Sequence, residues 1–493
     1  MDMKNLLDSF PAQRVLLSNG SRTLDRAALA QRIDTVAAAL EQRRVPAGAV
    51  AILADNDPEW LVVDLATQAL DVTLVPLPLF FTPEQLQHAV RSSGVQAMFC
   101  ADPALAALFG FTVAIACGGP LGLYETPHAS PHGPAPARLD GIQKITFTSG
   151  TTAAPKGVCL GTGQQWELAR ALQASLAPLR LERHLCLLPF AVLLENIAGP
   201  YTALLSGATT FCPPLIETGL AGASGFDPQV CMDAIARYAP HSIILVPQML
   251  QALVAAAAPD DPRLRSLRFV AVGGGKTAPA LLAAARARGL PVYEGYGLSE
   301  CASVVALNVP GAEKEGSVGR PLPNRAVRIA PDGEILIDHT VVRYLGQEAS
   351  GAVLATGDLG HLDADGFLFV DGRKKDILIT GFGRNISPEW PESVLVGTGM
   401  FAQAMVVGEG QAHLAALVVP ARAGLDAAAL AAAVARANAA LPDYARIVRW
   451  TAVAPFTPAN GLATANGRPR RALIQTHHAS AIAAFFDQQE LVP

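Results

Sequence analysis

Short apolar runs alternate with longer Ala- and Leu-rich segments along most of the chain. Each short run has the length and β-rich composition of a buried strand, and each longer segment has the apolar spacing of a helix. The clearest pairs are residues 50–54 before Pro58–Leu70, residues 242–246 before Gln248–Ala257, and residues 269–272 before Pro279–Arg288. Repeated strand–helix alternation predicts mostly parallel sheets covered by helices, which is the α/β class.

The pattern changes near Lys375. After this point come shorter alternating runs at 404–408 and 415–419, an Ala-rich helical segment at 426–441 and a strand-like run at 447–453. A chain of 493 residues is also too long for one ordinary domain. We therefore predict a large N-terminal domain over residues 1–374 and a smaller α+β domain over residues 375–493.

Composition and charge exclude several classes of protein. Lys+Arg 37 against Asp+Glu 42 gives a net charge of -5, without the basic stripe of a nucleic-acid-binding protein. The most apolar stretch, Ile243–Ala258, is interrupted by polar residues and falls short of a membrane span. The N-terminus is too acidic for a secretory signal. Seven scattered cysteines without a CxxC pair are typical of reduced thiols. We expect a cytoplasmic protein with neither an integral membrane segment nor a nucleic-acid partner.

The segment 145–158 carries the strongest chemical signal. A β-rich run leads into Thr148, Ser149, Gly150, Thr151 and Thr152, and Lys156 follows. Such a loop offers backbone N–H groups, hydroxyls and a cation to polyphosphate oxygens. Because a Walker loop needs Gly before its Lys and Ser or Thr after it, the segment is a different kind of phosphate loop. A second glycine run, at 273–277, also lacks the first Gly of a Walker loop, since position 270 is Val.

These residues resemble the signature of the adenylate-forming superfamily, which includes acyl-CoA synthetases, peptide-synthetase adenylation domains and firefly luciferases. The chain has Ala153 where the superfamily usually has Gly. Three further motifs occur in the superfamily's order: residues 293–300 resemble its adenine and metal motif, residues 356–360 with 371–376 its ribose motif and hinge, and residues 381–388 the loop after the hinge.

The resemblance implies attack of a carboxylate on the α-phosphorus of ATP, with a role for each motif. Thr148, Ser149, Gly150, Thr151, Thr152 and Lys156 are expected to hold the β- and γ-phosphates. Glu300 is expected to bind Mg²⁺, which suits a carboxylate oxygen. The remaining expected ATP-binding residues are Gly274, Gly275, Glu294, Gly295, Tyr296, Gly297, Ser299, Asp358 and Arg373.

The resemblance also implies a mobile C-terminal domain. Lys375 is expected to be its hinge, and Gly381, Phe382 and Gly383 are expected to approach the thiol of CoA or of pantetheine. Near the C-terminus, Arg468 stands where the superfamily has a catalytic Lys. Arginine keeps the charge but changes reach and donor geometry. Three alternatives remain open: Arg468 takes over the role of the Lys, Arg468 supports only slow adenylation, or the chain has lost the adenylation half-reaction.

The sequence signals for the acyl pocket and for the acceptor of the acyl group are less specific. Ala191, Val192 and Leu193 are expected to form an apolar wall, and the surrounding run looks most like that of fatty acyl-CoA synthetases. We therefore predict an enzyme that uses ATP, Mg²⁺ and CoA to activate a medium- or long-chain fatty acid or another carboxylic acid. Two alternatives remain: a ligase that loads an acyl-carrier protein, and a nucleotide-binding pseudoenzyme or regulator.

Overall fold

The computed structural model describes residues 3–42, 49–127, 139–148, 155–222, 225–381, 384–464 and 467–486. In these ranges no helix has the length and apolar character needed to cross a membrane. All seven cysteines lie in these ranges and are free and buried, as the sequence predicted.

The strands follow one another along the chain as follows: β1 Val15–Ser18, β2 Thr23–Asp25, β3 Ala49–Leu53, β4 Thr73–Pro76, β5 Val95–Cys100, β6 Val113–Ile115, β7 Gly122–Glu125, β8 Lys144–Thr148, β9 Lys156–Leu160, β10 Arg183–Leu185, β11 Thr209–Phe211, β12 Leu220–Ala221, β13 Gly225–Phe226, β14 Ser242–Leu245, β15 Phe269–Val272, β16 Val292–Leu298, β17 Ser303–Leu307, β18 Arg320–Pro321, β19 Ala326–Ile329, β20 Glu334–Asp338, β21 Arg343–Tyr344, β22 Val353–Leu362, β23 Leu368–Arg373, β24 Leu378–Ile379, β25 Asn385–Ile386, β26 Phe401–Val407, β27 Leu414–Pro420 and β28 Ile447–Ala452.

The α-helices are α1 Met3–Asp8, α2 Arg26–Gln42, α3 Pro58–Ala69, α4 Pro83–Ser92, α5 Pro103–Leu108, α6 Thr162–Leu176, α7 Leu193–Asn196, α8 Thr202–Leu205, α9 Pro228–Tyr238, α10 Pro247–Ala256, α11 Pro279–Arg286, α12 Glu389–Gly397, α13 Ala427–Ala439, α14 Arg471–His477 and α15 Ala479–Phe486. A π-helical turn, Ile197–Tyr201, joins α7 to α8.

Several of these helices begin at an Asp followed by Pro. Asp57 caps α3 and Asp227 caps α9, in each case by accepting a hydrogen bond from a backbone N–H of the first turn. The proline after each cap has no N–H to leave unpaired, and its fixed φ suits the first helical position. Local sequence thus sets where these helices start.

Two large sheets form the N-terminal part of the fold. The first has the order β18-β17-β16-β15-β14-β10-β11-β1-β2, and its strands from β16 to β1 are parallel. The second has the order β21-β9-β8-β4-β3-β5-β7-β6, with parallel pairing at its centre and antiparallel strands at its edges. The predicted helix-covered parallel sheets are confirmed at the sheet centres. A smaller antiparallel sheet, β19-β20-β22-β23, follows.

The C-terminal part is built around the sheet β26-β27-β28. Leu395 of α12 and Leu430 of α13 pack in one apolar cluster on this sheet, and Ile474 of α14 with Phe485 of α15 packs in another. The result is the predicted smaller α+β domain. The exact boundary at Lys375 stays a prediction.

A fully buried lysine joins the second sheet to the helices beside the first. Lys144 at the start of β8 donates hydrogen bonds to Asp64 at 2.9 Å, to Asn196 at 2.6 Å and to Tyr201 at 3.0 Å. Burial lowers the pKa of Lys144, while the Asp64 carboxylate opposes this effect. Because removing one partner would leave an uncompensated buried charge, this group fixes α3, α7 and β8 relative to one another.

Candidate active site

One cavity of about 2210 Å³ lies where the carboxyl ends of β14, β15 and β16 face the C-terminal part of the chain. Ligands of open α/β sheets bind at this edge of the parallel strands. The cavity collects most of the predicted site residues: Thr148, Lys156, Ala191, Val192, Leu193, Gly274, Gly275, Glu294, Gly295, Tyr296, Gly297, Ser299, Glu300, Asp358, Arg373, Lys375 and Arg468.

The ends of the predicted phosphate loop form an antiparallel hairpin. Thr148 at the end of β8 pairs with Lys156 at the start of β9. The positions between them that the sequence singled out, 149–152, lie outside the described residues. The hairpin places the Thr148 hydroxyl and the exposed Lys156 side chain at the cavity, beside the strand ends.

Tyr344, which the sequence did not single out, connects the predicted metal ligand to the phosphate loop. Its hydroxyl donates to Glu300 Oε1 at 2.7 Å. The ammonium of Lys156 lies 6.0 Å from the centre of the Tyr344 ring. Burial and the charge and hydrogen bond of Glu300 raise the pKa of Tyr344, so that its hydroxyl keeps its proton. A carboxylate and a cation therefore both lie close to the Tyr344 phenol.

The predicted adenine and ribose residues also contact one another. The Tyr296 hydroxyl donates to Asp358 Oδ2 at 2.6 Å, and Arg373 Nε lies 2.9 Å from Asp358 Oδ1. Asp358 and Arg373 face each other across β22 and β23, so the sheet register sets this ion pair. A Cβ at Gly297 would lie 1.6 Å from the carbonyl oxygen of Ser303, which explains the glycine after Tyr296.

Glu294 lines the cavity, and its carboxyl accepts a backbone hydrogen bond. Its Oε1 accepts the backbone N–H of Thr277 at 3.1 Å, and its side chain is buried. Burial raises the pKa of Glu294 to about 7. This carboxyl therefore anchors the glycine run at 273–277 to β16, and its predicted contact with ATP stays a prediction.

Replacing Glu294 by Gln should change the pH dependence of stability. Between pH 4.5, the ordinary pKa, and about 7, the folded chain keeps a proton that the unfolded chain releases, so the free energy of unfolding falls as pH rises. Gln keeps the acceptor for Thr277 without this penalty. We expect E294Q to be more stable than wild type by roughly 3 kcal/mol at pH 8, with the difference vanishing below pH 4.5.

Urea unfolding at both pH values measures this difference. The exposed Glu313 supplies the matched control E313Q, which removes a carboxylate that is not buried. An equal stability difference for E294Q at both pH values would contradict the prediction.

Arg468 crosses from the C-terminal part of the chain into the cavity. Its Nη2 donates to the carbonyl oxygen of Gly274 at 2.7 Å, and the charges of Arg373, Glu389 and Asp358 act on its guanidinium. The backbone on both sides of Arg468 is fixed, because its N–H donates to Thr464 Oγ1 at 3.0 Å and its carbonyl accepts from Thr464 N at 2.7 Å. The predicted substitute for the superfamily Lys thus lies beside the predicted nucleotide residues.

Two hydrogen bonds join α10 to the C-terminal domain. The Gln251 amide donates to the carbonyl oxygens of Val396 and Phe401, each at 3.3 Å. The predicted hinge, Lys375, also lines the cavity. Gly381 does not line it and donates instead to the carbonyl of Gln411 at 2.8 Å. Phe382 and Gly383 lie outside the described residues, so the predicted thiol approach stays a prediction.

Tyr344, Gln251 and Glu389 carry no local signal that would have revealed them. Tyr344 lies in a two-residue edge strand, β21, and reaches the site because β21 pairs with β9. Gln251 lies on a helix whose apolar pattern predicts only packing. The superfamily motifs do not include these positions, and long-range pairing alone brings them to the cavity.

Family models match almost the whole chain. Residues 6–346 match the model described as "AMP-binding enzyme", and residues 375–490 match "AMP-binding enzyme C-terminal domain". A 2-succinylbenzoate–CoA ligase of Geobacillus kaustophilus is 30% identical over 80% of this chain and 82% of its own. The long-chain-fatty-acid–CoA ligase FadD15 of Mycobacterium bovis is 28% identical over 93% and 92%.

Solved structures share the same fold. An anthranilate CoA ligase in complex with anthranoyl-AMP superposes with a TM-score of 0.79 at 18% identity, covering 97% of both chains. An O-succinylbenzoate coenzyme A synthetase of Bacillus subtilis, in complex with ATP and magnesium, gives 0.73 at 23% identity, covering 96% of this chain and 99% of that one. The chain therefore belongs to the AMP-binding enzyme family and is an acid–thiol ligase of the adenylate-forming superfamily, as its motifs predicted.

Proposed function

We propose that this enzyme uses ATP and Mg²⁺ to convert a carboxylic acid into acyl-AMP, and then transfers the acyl group to the thiol of CoA. The observation that carries this proposal is the single cavity in which Lys156, Glu300, Asp358 and Arg468 meet. The acid is a medium- or long-chain fatty acid, because the wall formed by residues 191–193 is apolar and the relatives include a long-chain-fatty-acid–CoA ligase.

Each charged group of the cavity has a task in this reaction. A carboxylate oxygen of the acid bonds to the α-phosphorus and pyrophosphate leaves, so two anions must be brought together. Lys156 binds departing phosphate oxygens, and Arg468 neutralises charge at the α-phosphate. Asp358 holds the ribose hydroxyls. In the second step the thiol sulfur bonds to the acyl carbon, AMP leaves and the thiol proton is lost.

The residues around Glu300 fit a bound Mg²⁺. Carboxylate oxygen is a hard ligand of the kind this ion prefers, and Glu300 lines the cavity together with Tyr344. When bound, the ion supplies positive charge to phosphate oxygens. Tyr344 keeps the Glu300 carboxylate in one orientation, and Lys156, whose ammonium lies 6.0 Å from the centre of the Tyr344 ring, adds a second cation.

Acid-dependent exchange of pyrophosphate into ATP tests the first half-reaction, with a panel of aliphatic acids of increasing length. Mass measurement of a thioester after addition of CoA or of a pantetheinylated carrier protein identifies the acceptor. If the thioester forms on the carrier protein and not on CoA, the carrier protein replaces CoA as the proposed acyl acceptor. ATP binding without exchange for any acid would favour the nucleotide-binding regulator, for which the Arg at position 468 is the motivating observation.

Removing the Tyr344 hydroxyl should weaken metal binding. In Y344F the Glu300 carboxylate loses its 2.7 Å donor, and loss of an orienting hydrogen bond typically costs about tenfold or more in metal affinity. We expect the Mg²⁺ concentration for half-maximal exchange to rise about tenfold. The exposed Tyr444, on the C-terminal domain, supplies the control Y444F. An unchanged Mg²⁺ requirement in Y344F would show that this hydrogen bond does not orient a metal ligand.

A further inference from the structure

The cavity continues from the nucleotide residues into the space between the first sheet and the helices α6 to α8. Ala271 lies in the middle of β15 yet is only partly buried, and so is Ala198 of the π-helical turn. Gly273 faces Leu194 of α7, since a Cβ there would lie 3.7 Å from the leucine. Ala271 shares this face two residues earlier, and Ala198 lies one helical turn after Leu194. Because these residues are small, they leave a passage that continues from the nucleotide residues along the first sheet.

A chain of hydrogen-bonded polar side chains lies along this passage. Ser242 at the start of β14 and His184 of β10 are paired in register, and Ser242 Oγ lies 3.0 Å from His184 Nδ1. His184 Nε2 lies 2.9 Å from Glu195 Oε1. Both Ser242 and His184 line the cavity. The three side chains are buried.

The hydrogen-bond directions in this chain are fixed from its buried end. Glu195 Oε2 accepts the backbone N–H groups of Leu187 and Leu188, which holds the carboxylate in place. In the tautomer that carries its proton on Nε2, toward the Glu195 carboxylate, His184 accepts at Nδ1 and the Ser242 hydroxyl donates to it. Ser242 Oγ then has only lone pairs left for a molecule in the passage.

We propose that Ser242 accepts a hydrogen bond from a hydroxyl group of the acid, so that the substrate is an apolar carboxylic acid with a hydroxyl roughly 10 Å from its carboxylate. This inference rests on the proposed function. Ser242 and Val246, which lies at the nucleotide edge, are four positions apart along the chain, or about 13 Å in extended backbone. A hydrogen bond of about 3 Å shortens this distance to the length of the acid. Because Ser242 has no proton to offer, an ether or carbonyl oxygen at the same position gains nothing.

The nearby Cys186 does not change this assignment. His184, Cys186 and Glu195 have ligand atoms close enough for a metal ion. Burial raises the pKa of Cys186 well above its ordinary value, so its thiol stays protonated, and the hydrogen bonds just described occupy the other two groups.

Matched acids test the proposal with the full-length enzyme. Two sets of probes are used: para-hydroxycinnamate, cinnamate and para-methoxycinnamate are rigid acids, and ω-hydroxyoctanoate and octanoate represent the proposed fatty acid. We expect kcat/KM for pyrophosphate exchange to be about tenfold higher for a hydroxylated acid than for its partner, the size of one neutral hydrogen bond, and the methoxy acid to gain nothing. Equal values within both sets, or an equal gain from methoxy, would overturn the inference.

The variant S242A should reduce the preference for the hydroxylated acid to near unity. The control is S175A, because Ser175 lies on α6, outside the cavity lining, and bonds only its own helix, at the Ala171 carbonyl. S175A should keep the wild-type ratio. If S242A kept the preference for the hydroxylated acid, a group other than Ser242 would be responsible for that preference. No exchange with any acid would contradict the proposed function itself, whereas exchange without hydroxyl preference contradicts only this inference.

Discussion

Replacing Arg468 by Met should lower acid-dependent pyrophosphate exchange by at least about a hundredfold, the usual cost of removing one preorganised donor from a reacting oxyanion. Arg468 enters the cavity from the C-terminal domain and lies beside the carbonyl of Gly274. Its charge is offset by Asp358 and Glu389 and opposed by Arg373. Without Arg468, the attacking carboxylate and the α-phosphate would lose the cation that contacts Gly274.

The second half-reaction separates a catalytic role from a structural one. Acyl-AMP supplied to R468M should still yield a thioester, because the proposed role of Arg468, neutralising charge at the α-phosphate, belongs to the first half-reaction. R449M is the matched control, since Arg449 is exposed on β28 of the same domain. Equal loss in both half-reactions would indicate a folding defect. Undiminished exchange in R468M would leave Arg468 without a catalytic role and would favour Lys156 as the main cation.

Replacing Glu300 by Gln should lower exchange by at least about tenfold and raise the Mg²⁺ requirement. Gln keeps the size of the side chain and can still accept the Tyr344 hydrogen bond, so the change removes mainly the charge that a hard cation requires. Exchange measured across a Mg²⁺ titration separates the loss of metal affinity from the loss of rate. The exposed Glu313 again supplies the matched control, E313Q.

The pair E300Q and Y344F forms a direct comparison. Both change the same carboxylate site, and Y344F leaves its charge in place. We expect E300Q to lower exchange even at saturating Mg²⁺ and Y344F to recover under that condition. If E300Q had wild-type exchange at every Mg²⁺ concentration, Glu300 would not be part of the site.

Local patterns predicted the element types well where burial and periodicity agree. The runs at 242–246 and 269–272 became β14 and β15, and the following segments became α10 and α11. Parallel strands buried on both faces need continuous apolar residues, and this requirement is visible in a short window. The burial of Lys144 could not be predicted from the local sequence, because its partners Asp64 and Asn196 lie far away along the chain.

The sequence by itself determined the α/β class and the family, and it predicted the nucleotide-binding positions, because motif residues keep their order and spacing along the chain. Only the tertiary structure decided that Tyr344 contacts Glu300, that Glu294 turns inward to Thr277, and that Arg468 reaches Gly274. The same holds for the passage with Ser242 and His184, which register between β10 and β14 creates. These contacts join residues from distant segments, and strand pairing, burial and domain docking set their distances, which a one-dimensional pattern does not record.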